Sequence, residues 1–353
     1  MRVELIELEQ APIAELEAMQ SSVASALLYT SYAYLKMLKG FLSCNIELVV
    51  LYNEQNSVKG FLPLAYKTGA AGIVANSLPF YGSNGSMVIA EDVQDKDAAL
   101  SLMFHKATES ISSKSCIAAT FISNPLDPNT DKWLNENAGH QLLDERIGQI
   151  SHLPENTATL AEDLIKRFED PRPRNIRKAI KEGIKVYYAN DQEALAFLYQ
   201  VHYDNITAIS GIPKEKRFFT SIQDYFGEKD YRVYIAEYQG QKIGALLLFY
   251  YNQTVEYFTP AVIESFRNIQ PTALLIYQAM LDAVQAGYRN WNWGGTWLSQ
   301  GGVYDFKKKW GTTDYRYFYY TQLTDESLLE KSRQFLLEEY PYFFVVPFSK
   351  LKS

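Results

Sequence analysis

One stretch of this chain occurs twice. VVLYNEQNSVKGFLPLAY, from Val49, and VYIAEYQGQKIGALLLFY, from Val233, superpose without a gap, Gly60 falling on Gly244. Each reads as an apolar strand, a polar turn, a glycine and a second apolar strand, which is the pattern of a β-hairpin. The order of elements around the hairpins recurs as well. A helical pattern precedes each one and a strand follows (73–80; 254–261). An amphipathic helix (95–111; 271–287) and a further strand (116–122; 288–294) come next. A repeated order of buried faces demands a repeated packing solution, so the pattern predicts two copies of one mixed α/β unit.

The length agrees, because single cores usually stop growing at about 250–300 residues and the chain has 353. Pro171 and Pro173 interrupt two helical patterns between the hairpins, as prolines do by removing a backbone donor and restricting the residue before them. The boundary is therefore expected here, with domains at 1–155 and 156–353. In the helix that follows, Arg174, Arg177, Lys178 and Lys181 recur at spacings of three and four and share one broad face. That face is either a solvated helix surface or a binding surface. Basic residues recur in the same half at Lys214, Lys216, Arg217 and Lys307 to Lys309.

Composition removes several function classes. A net charge of −7 argues against a generic nucleic-acid binder, while leaving room for local basic patches. Cys44 and Cys116 lack ligand-like spacing and read as buried thiols of a reducing compartment. The four histidines are scattered, so no metal site is expected. No GxSxG elbow, GxxxxGK loop or GxGxxG fingerprint occurs, which sets aside serine hydrolysis, nucleotide hydrolysis and hydride transfer. The acidic start lacks the pattern of a secretion signal, and no apolar run reaches the roughly 18 residues of a membrane span. A cytoplasmic protein is the expectation. The tail YPYFFVVPFSKLKS is aromatic and then basic. It is a candidate for peripheral membrane contact, with a packed terminal segment the stronger expectation.

The order of motifs resembles a known family. SYAYLKMLK early in the chain, LPFYG after the third strand, RNIRKAIKEGIKV at the junction, GIPKEKRFF after a helix, and WNWGGT…GGVYDFKKKWG near the end are together similar to the FemABX-type branch of the GNAT acyltransferase superfamily. The resemblance runs from about Ser31 to Leu323. It implies two tandem GNAT-like domains facing a shared cleft. It also implies transfer of an acyl or aminoacyl group from an activated ester or thioester to an amine on a cell-envelope precursor, an amino sugar or a peptidoglycan peptide. Relatives occur in peptidoglycan and surface-polysaccharide biosynthesis. The donor it implies is an aminoacyl-tRNA or an acyl-CoA, with no tightly bound cofactor. The partners are a small-molecule or lipid-linked envelope precursor and a tRNA. A conventional acyl-CoA-dependent N-acetyltransferase and a non-catalytic binding module that keeps the fold are the alternatives.

Carried over position by position, the resemblance implies Lys307 as the catalytic cation. It implies Lys36 or Lys39, and Lys214 or Arg217, as cations for an acceptor diphosphate. The strand 254–261 corresponds to the place where the superfamily's central strands splay, so Tyr257 is expected on the acceptor side and Thr259, with Arg267 and Lys309, on the donor side. At the superfamily's pyrophosphate loop this chain has RNIQPT, where Pro271 supplies no amide hydrogen. That departure points toward a donor other than coenzyme A. In LPFYGSNG the glycines either serve only a tight loop or place Tyr81 and Asn84 in the acceptor cleft. The alternation NWNW predicts a strand with Trp293 in the core. Of the three consecutive lysines, Lys308 is expected to face solvent.

Overall fold

The computed structural model describes residues 1–80, Asn84 and 87–352. The chain divides into two compact units, Met1–Ile147 with Tyr315–Ser353, and Gly148–Asp314. In chain order the first contains β1 (Arg2–Glu7), α1 (Ile13–Ser21), α2 (Tyr32–Leu42), β2 (Asn45–Tyr52), β3 (Val58–Gly69), β4 (Gly72–Asn76), β5 (Val88–Ile89), α3 (Lys96–Ser113), β6 (Cys116–Ile122) and α4 (Pro128–Asn137). Strand β7 (Leu142–His152) carries the chain into the second unit. There follow α5 (Leu160–Lys166), α6 (Arg172–Lys181), β8 (Lys185–Tyr188), α7 (Gln192–Ala208), α8 (Lys216–Thr220), α9 (Ile222–Tyr225), β9 (Tyr231–Tyr238), β10 (Gln241–Tyr251), β11 (Thr254–Val262), α10 (Pro271–Gln285), β12 (Asn290–Trp297) and α11 (Gly301–Lys308). Strand β13 (Thr313–Leu323) returns the chain to the first unit, which α12 (Arg333–Glu339) completes.

The repeat seen in the sequence is a repeat of topology. In the first unit β2 pairs antiparallel with β3, β3 with β4, and β4 runs parallel to β6. In the second, β9 pairs antiparallel with β10, β10 with β11, and β11 runs parallel to β12. The aligned glycines have the same physical reason. A Cβ on Gly60 would lie 2.8 Å from the Val88 carbonyl oxygen of β5, and one on Gly244 would lie 2.9 Å from Val262 and 3.2 Å from the Ala261 oxygen of β11. Both mark a close approach by a neighbouring strand. The β9–β10 turn places Gln239 and Gly240 at φ 51° and 80°, the two left-handed residues of a type I′ hairpin.

Helix α2 starts where Ser31 accepts a hydrogen bond from the Tyr34 amide, and α3 where Asp95 accepts one from that of Ala98, each relieving an orphan donor of the first turn. The core of the second unit places Leu275, Ile276 and Met280 of α10 with Tyr234, Leu246, Leu248, Trp291, Trp293 and Trp310. Trp293 is core, as the strand pattern predicts. Cys44 and Cys116 are buried free thiols, both pushed up to about 11 by burial.

Where the sequence suggests one boundary at 155, the chain crosses between units twice. β13 pairs antiparallel with β6, Tyr319 opposite Ile122 and Leu323 opposite Ala118. The tail packs beside it, burying Leu328, Leu336, Tyr340, Val345 and Val346 against Val74 and Ala118. Asn76 clamps the tail backbone, its amide donating to the Phe344 oxygen and its side-chain oxygen accepting from the Phe344 N–H, both at 2.7 Å. The aromatic tail is thus a packed segment. Leu328→Ala should cost about 2–5 kcal/mol. Hydrogen exchange should then show the amides of β4 and β6 losing protection, although more than two hundred residues separate them from position 328 in the sequence.

Candidate functional site

In the second unit the parallel strands β11 and β12 pair only from Thr254 opposite Asn290 to Glu256 opposite Asn292. Beyond that point β11 continues to Val262 and β12 to Trp297 without pairing with each other among the described residues. A register shift in the β10–β11 ladder, where Leu247 faces Thr259 and Leu248 faces Tyr257, leaves Phe258 as an extra residue. A bulge of this kind bends its strand and increases local twist. The facing edges past Tyr257 and Trp293 therefore present main-chain groups to a gap instead of a ladder. The rings of Tyr257 and Trp293 meet at its inner end, their centroids 4.7 Å apart.

Lys307 of α11 is buried beside this gap. Its ammonium donates to the carbonyl oxygens of Gly294 and Gly295 at 3.3 and 3.2 Å and to the Thr296 hydroxyl at 2.9 Å. Three donors meet three oxygens, so the cation braces the end of β12. Gly294, at φ 70°, turns the strand there, and its N–H donates to the Asn292 side chain. Burial pulls the Lys307 ammonium down to about 8. Lys308 is half-buried, bonded to the Thr312 oxygen and to Asp314 at 3.2 Å. It is not the free, solvent-facing member of the trio, because the helix ends beside Asp314.

Two more cations attend β11. Lys214, in the loop before α8, donates to the Thr259 hydroxyl at 3.3 Å and lies over the Phe258 ring. Burial of its ammonium pulls it down to about 8. Its own backbone N–H donates at 3.1 Å to Nε2 of buried His202, whose ring burial and the neighbouring Lys214 lower to about 4. The imidazole is then neutral and acts as an acceptor at neutral pH.

Arg172 opens α6 and stacks over Phe306 and Trp310, its guanidinium carbon 4.3 and 5.2 Å from their centroids. Nη2 donates to the Phe306 oxygen, while buried Nε has no hydrogen-bond partner among the described residues. Burial lowers its pKa. Arg172 also lies near enough to Tyr257 for its charge to oppose the upward push that burial gives the phenol. Arg172, Arg267, Gln270, Thr272, Phe306 and Trp310 line a cavity of about 260 Å³ at the N-terminus of α10, where the helix dipole favours anions. Among the described residues, none of Arg172, Lys214 and Lys307 has a carboxylate within ion-pair distance. One buried and two half-buried cations without counter-ions among the described residues, in a chain of net charge −7, form a place prepared for a negative group.

The sequence-derived residues fall into groups. Lys307, Tyr257, Thr259 and Lys214 gather on or beside the two diverging strands, and Arg267 lines the cavity at α10. Of the pair Lys214 and Arg217, the structure brings Lys214 to β11, whereas Arg217 is exposed and bonded to Glu215 at 2.8 Å. Lys309 is half-buried at the end of α11, its carbonyl accepting from the Glu169 N–H. Lys36, Lys39 and Asn84 belong to the first unit. Lys39 is held by Glu9 at 2.6 Å, Lys36 is exposed over the Tyr32 ring, and Asn84 is fully buried. Tyr81 lies outside the described residues. The cationic face of α6 is exposed, with Ile176 and Ala179 turned inward. Sequence reasoning missed Arg172 and His202. The available signal for Arg172 was an arginine set between the two prolines that break the helix, placing it at a helix start rather than on the basic face.

Residues 172–308 match the acetyltransferase (GNAT) domain model. No curated protein matches the sequence at a significant level. Among solved structures, FemX aligns with a TM-score of 0.73 at 15% identity, covering 91% of this chain and 97% of that one. The chain has the FemX fold. A tandem GNAT protein from the clavulanic acid biosynthesis pathway aligns at 0.51 and 12% identity, covering 92% of this chain and 100% of that one. The C-terminal domain of a putative lysylphosphatidylglycerol synthetase from Agrobacterium fabrum aligns at 0.55 and 13%, covering 96% and 98%. The two topologically equivalent units here are thus the tandem GNAT arrangement. No helix among the described residues is long and apolar enough to cross a membrane, and no cluster of His, Cys, Asp or Glu among them could hold a metal ion.

The buried ammonium of Lys307 has a consequence for stability. Its folded value, about 8, lies below the ordinary 10.5, so between these pH values the unfolded chain binds more protons and stability rises with pH. The cost of burying the charge is fully present below pH 8 and is relieved toward pH 10.5. In Lys307→Met the rise in unfolding free energy over that window, measured by denaturant titration, should be smaller than in the wild type by up to about 3 kcal/mol.

Proposed function

We propose that this chain is an acyltransferase whose second unit joins an acyl or aminoacyl group to an amine of a cell-envelope precursor. The observation that carries this reading is the unpaired stretch of β11 and β12, with Lys307 buried at its side. An activated carbonyl laid in the gap meets main-chain N–H groups, which can take up the negative charge that develops on its oxygen. The acceptor nitrogen attacks the carbonyl carbon, a C–N bond forms, and the C–O bond of an ester or the C–S bond of a thioester breaks. The proton of the amine leaves to solvent or to the departing oxygen or sulfur. Positioning and electrostatics suffice for such a reaction.

Lys307 supports the oxyanion as a fixed positive charge. Its three protons are already engaged, so it acts through Thr296 and the carbonyls it holds rather than by a fourth hydrogen bond. The cavity formed by Arg172, Arg267 and the start of α10 suits a phosphate of the donor. Arginine forks and a helix terminus there can replace the backbone amide that Pro271 removes. Both an aminoacyl-tRNA and an acyl-CoA carry such a phosphate. The Thr259-bound Lys214 suits an anionic group on the acceptor. FemX and the lysylphosphatidylglycerol synthetase domain share the fold, which favours an envelope acceptor and an aminoacyl donor. An acyl-CoA-dependent N-acyltransferase is the second reading, favoured by the match of residues 172–308 to the acetyltransferase domain model.

Mass spectrometry of amino-sugar nucleotides and muropeptide precursors, incubated with the protein and either mixed charged tRNA or acyl-CoA thioesters, tests the reaction. Transfer with one donor class is expected, and no product from any combination would remove the proposal. With the productive donor, Lys307→Met should lower kcat by about 10²–10³ at unchanged fold. Arg172→Met should instead raise the donor KM about ten- to a hundredfold and leave kcat within a few-fold, the signature of lost uniform binding. An unaltered donor KM would assign the cavity another ligand.

A further inference from the structure

Most large apolar side chains on this protein are covered, and the uncovered ones are not spread evenly. Ile209 and Ile212, at 74% and 69% exposure, lie in the loop between α7 and α8, next to exposed Tyr203 on the last turns of α7. Trp297, Leu298 and Val303 are exposed where β12 passes into α11, Leu298 at 61%. Each loop is tied at its base to one side of the strand gap. Lys214 fastens the first loop to Thr259 of β11, and Lys307 fastens the end of β12 through Thr296. The two apolar tips therefore rise from the two lips of the same slot.

Scattered single apolar residues need no explanation, whereas several together mark an interaction surface. Branched aliphatics and a tryptophan, interspersed with cations, suit the boundary between lipid headgroups and acyl chains. Where this loop runs into the first turn of α8, Lys214, Lys216 and Arg217 outnumber Glu215, which pairs with Arg217, a local excess of positive charge in a chain whose net charge is −7. That excess complements an anionic bilayer. We propose that these two loops seat the lips of the slot on the surface of an anionic membrane. This rests on the transfer reading for its purpose, but its test involves no donor and reads binding alone, so failure of one is distinguishable from failure of the other.

The experiment is co-sedimentation of the full chain with sucrose-loaded vesicles of equal parts phosphatidylglycerol and phosphatidylcholine, and with vesicles of phosphatidylcholine alone. The wild type should sediment with the first and more weakly with the second, and salt should weaken the difference. The double variant Ile209→Ser, Ile212→Ser should bind the anionic vesicles at least tenfold less, and Leu298→Ser several-fold less, since each aliphatic withdrawn from hydrocarbon costs roughly a factor of ten in partition. Leu102→Ser, at an exposed position on α3, should behave as wild type. All four positions are exposed, so circular dichroism should show these variants folded. Absence of wild-type sedimentation, or equal sedimentation of wild type and the double variant, would overturn the proposal. So would light scattering that shows a wild-type dimer dissolved by Ile212→Ser with no change in vesicle binding, which would make the surface a contact between two copies of this chain.

Discussion

The second unit is organised around a buried ammonium ion with no carboxylate partner among the described residues. Taking the Lys307 charge out of water is costly, and what offsets it is a set of three oxygens, two of them main-chain carbonyls of β12. Those carbonyls would otherwise look for partners on a neighbouring strand. By accepting from Lys307 they let the end of β12 part from β11, and the bulge at Phe258 bends β11 at the same level. Cation, gap and turned strand are thus one device. Arg172 and Lys214 extend it, each satisfied in part by neutral oxygens and aromatic faces, and each left with charge to spare.

The first unit shows what the same frame does without that device. Its β4 and β6 stay paired from Ile73 opposite Cys116 to Asn76 opposite Thr120, and the Ser77 N–H continues the contact to the Thr120 oxygen. The tail then takes the polar groups at the end of β4, with Asn76 bonded twice to Phe344. On the other side β6 is occupied by β13. The repeat copies the order of strands and the close approach at its glycine, and among the described residues the slot occurs in the second unit.

Much of this was legible in residue order. Gly60 and Gly244, the hairpins around them and the following amphipathic helices announced two like units, because the periodicity of buried faces is written locally. Lys307, Thr259, Tyr257 and Lys214 could be picked out through motif resemblance, and they do gather at the diverging strands. Choosing Lys214 over Arg217 was beyond the sequence, since two cations three residues apart could each reach β11. The structure decides by anchoring the Lys214 backbone to His202 and pairing Arg217 with Glu215. Arg172 escaped notice for a similar reason. Its value lies in Phe306, Trp310 and the start of α10, all about a hundred residues or more away in sequence.

By itself the sequence determined the element types and the duplication, both of which depend on neighbours a few residues apart. Only the tertiary structure decided that β13 and the tail complete the first unit, and that three lysine and arginine side chains are stripped of counter-ions beside an unpaired pair of strands. Strand partnership and desolvation are set by groups far apart along the chain, and neither leaves a periodic trace in it.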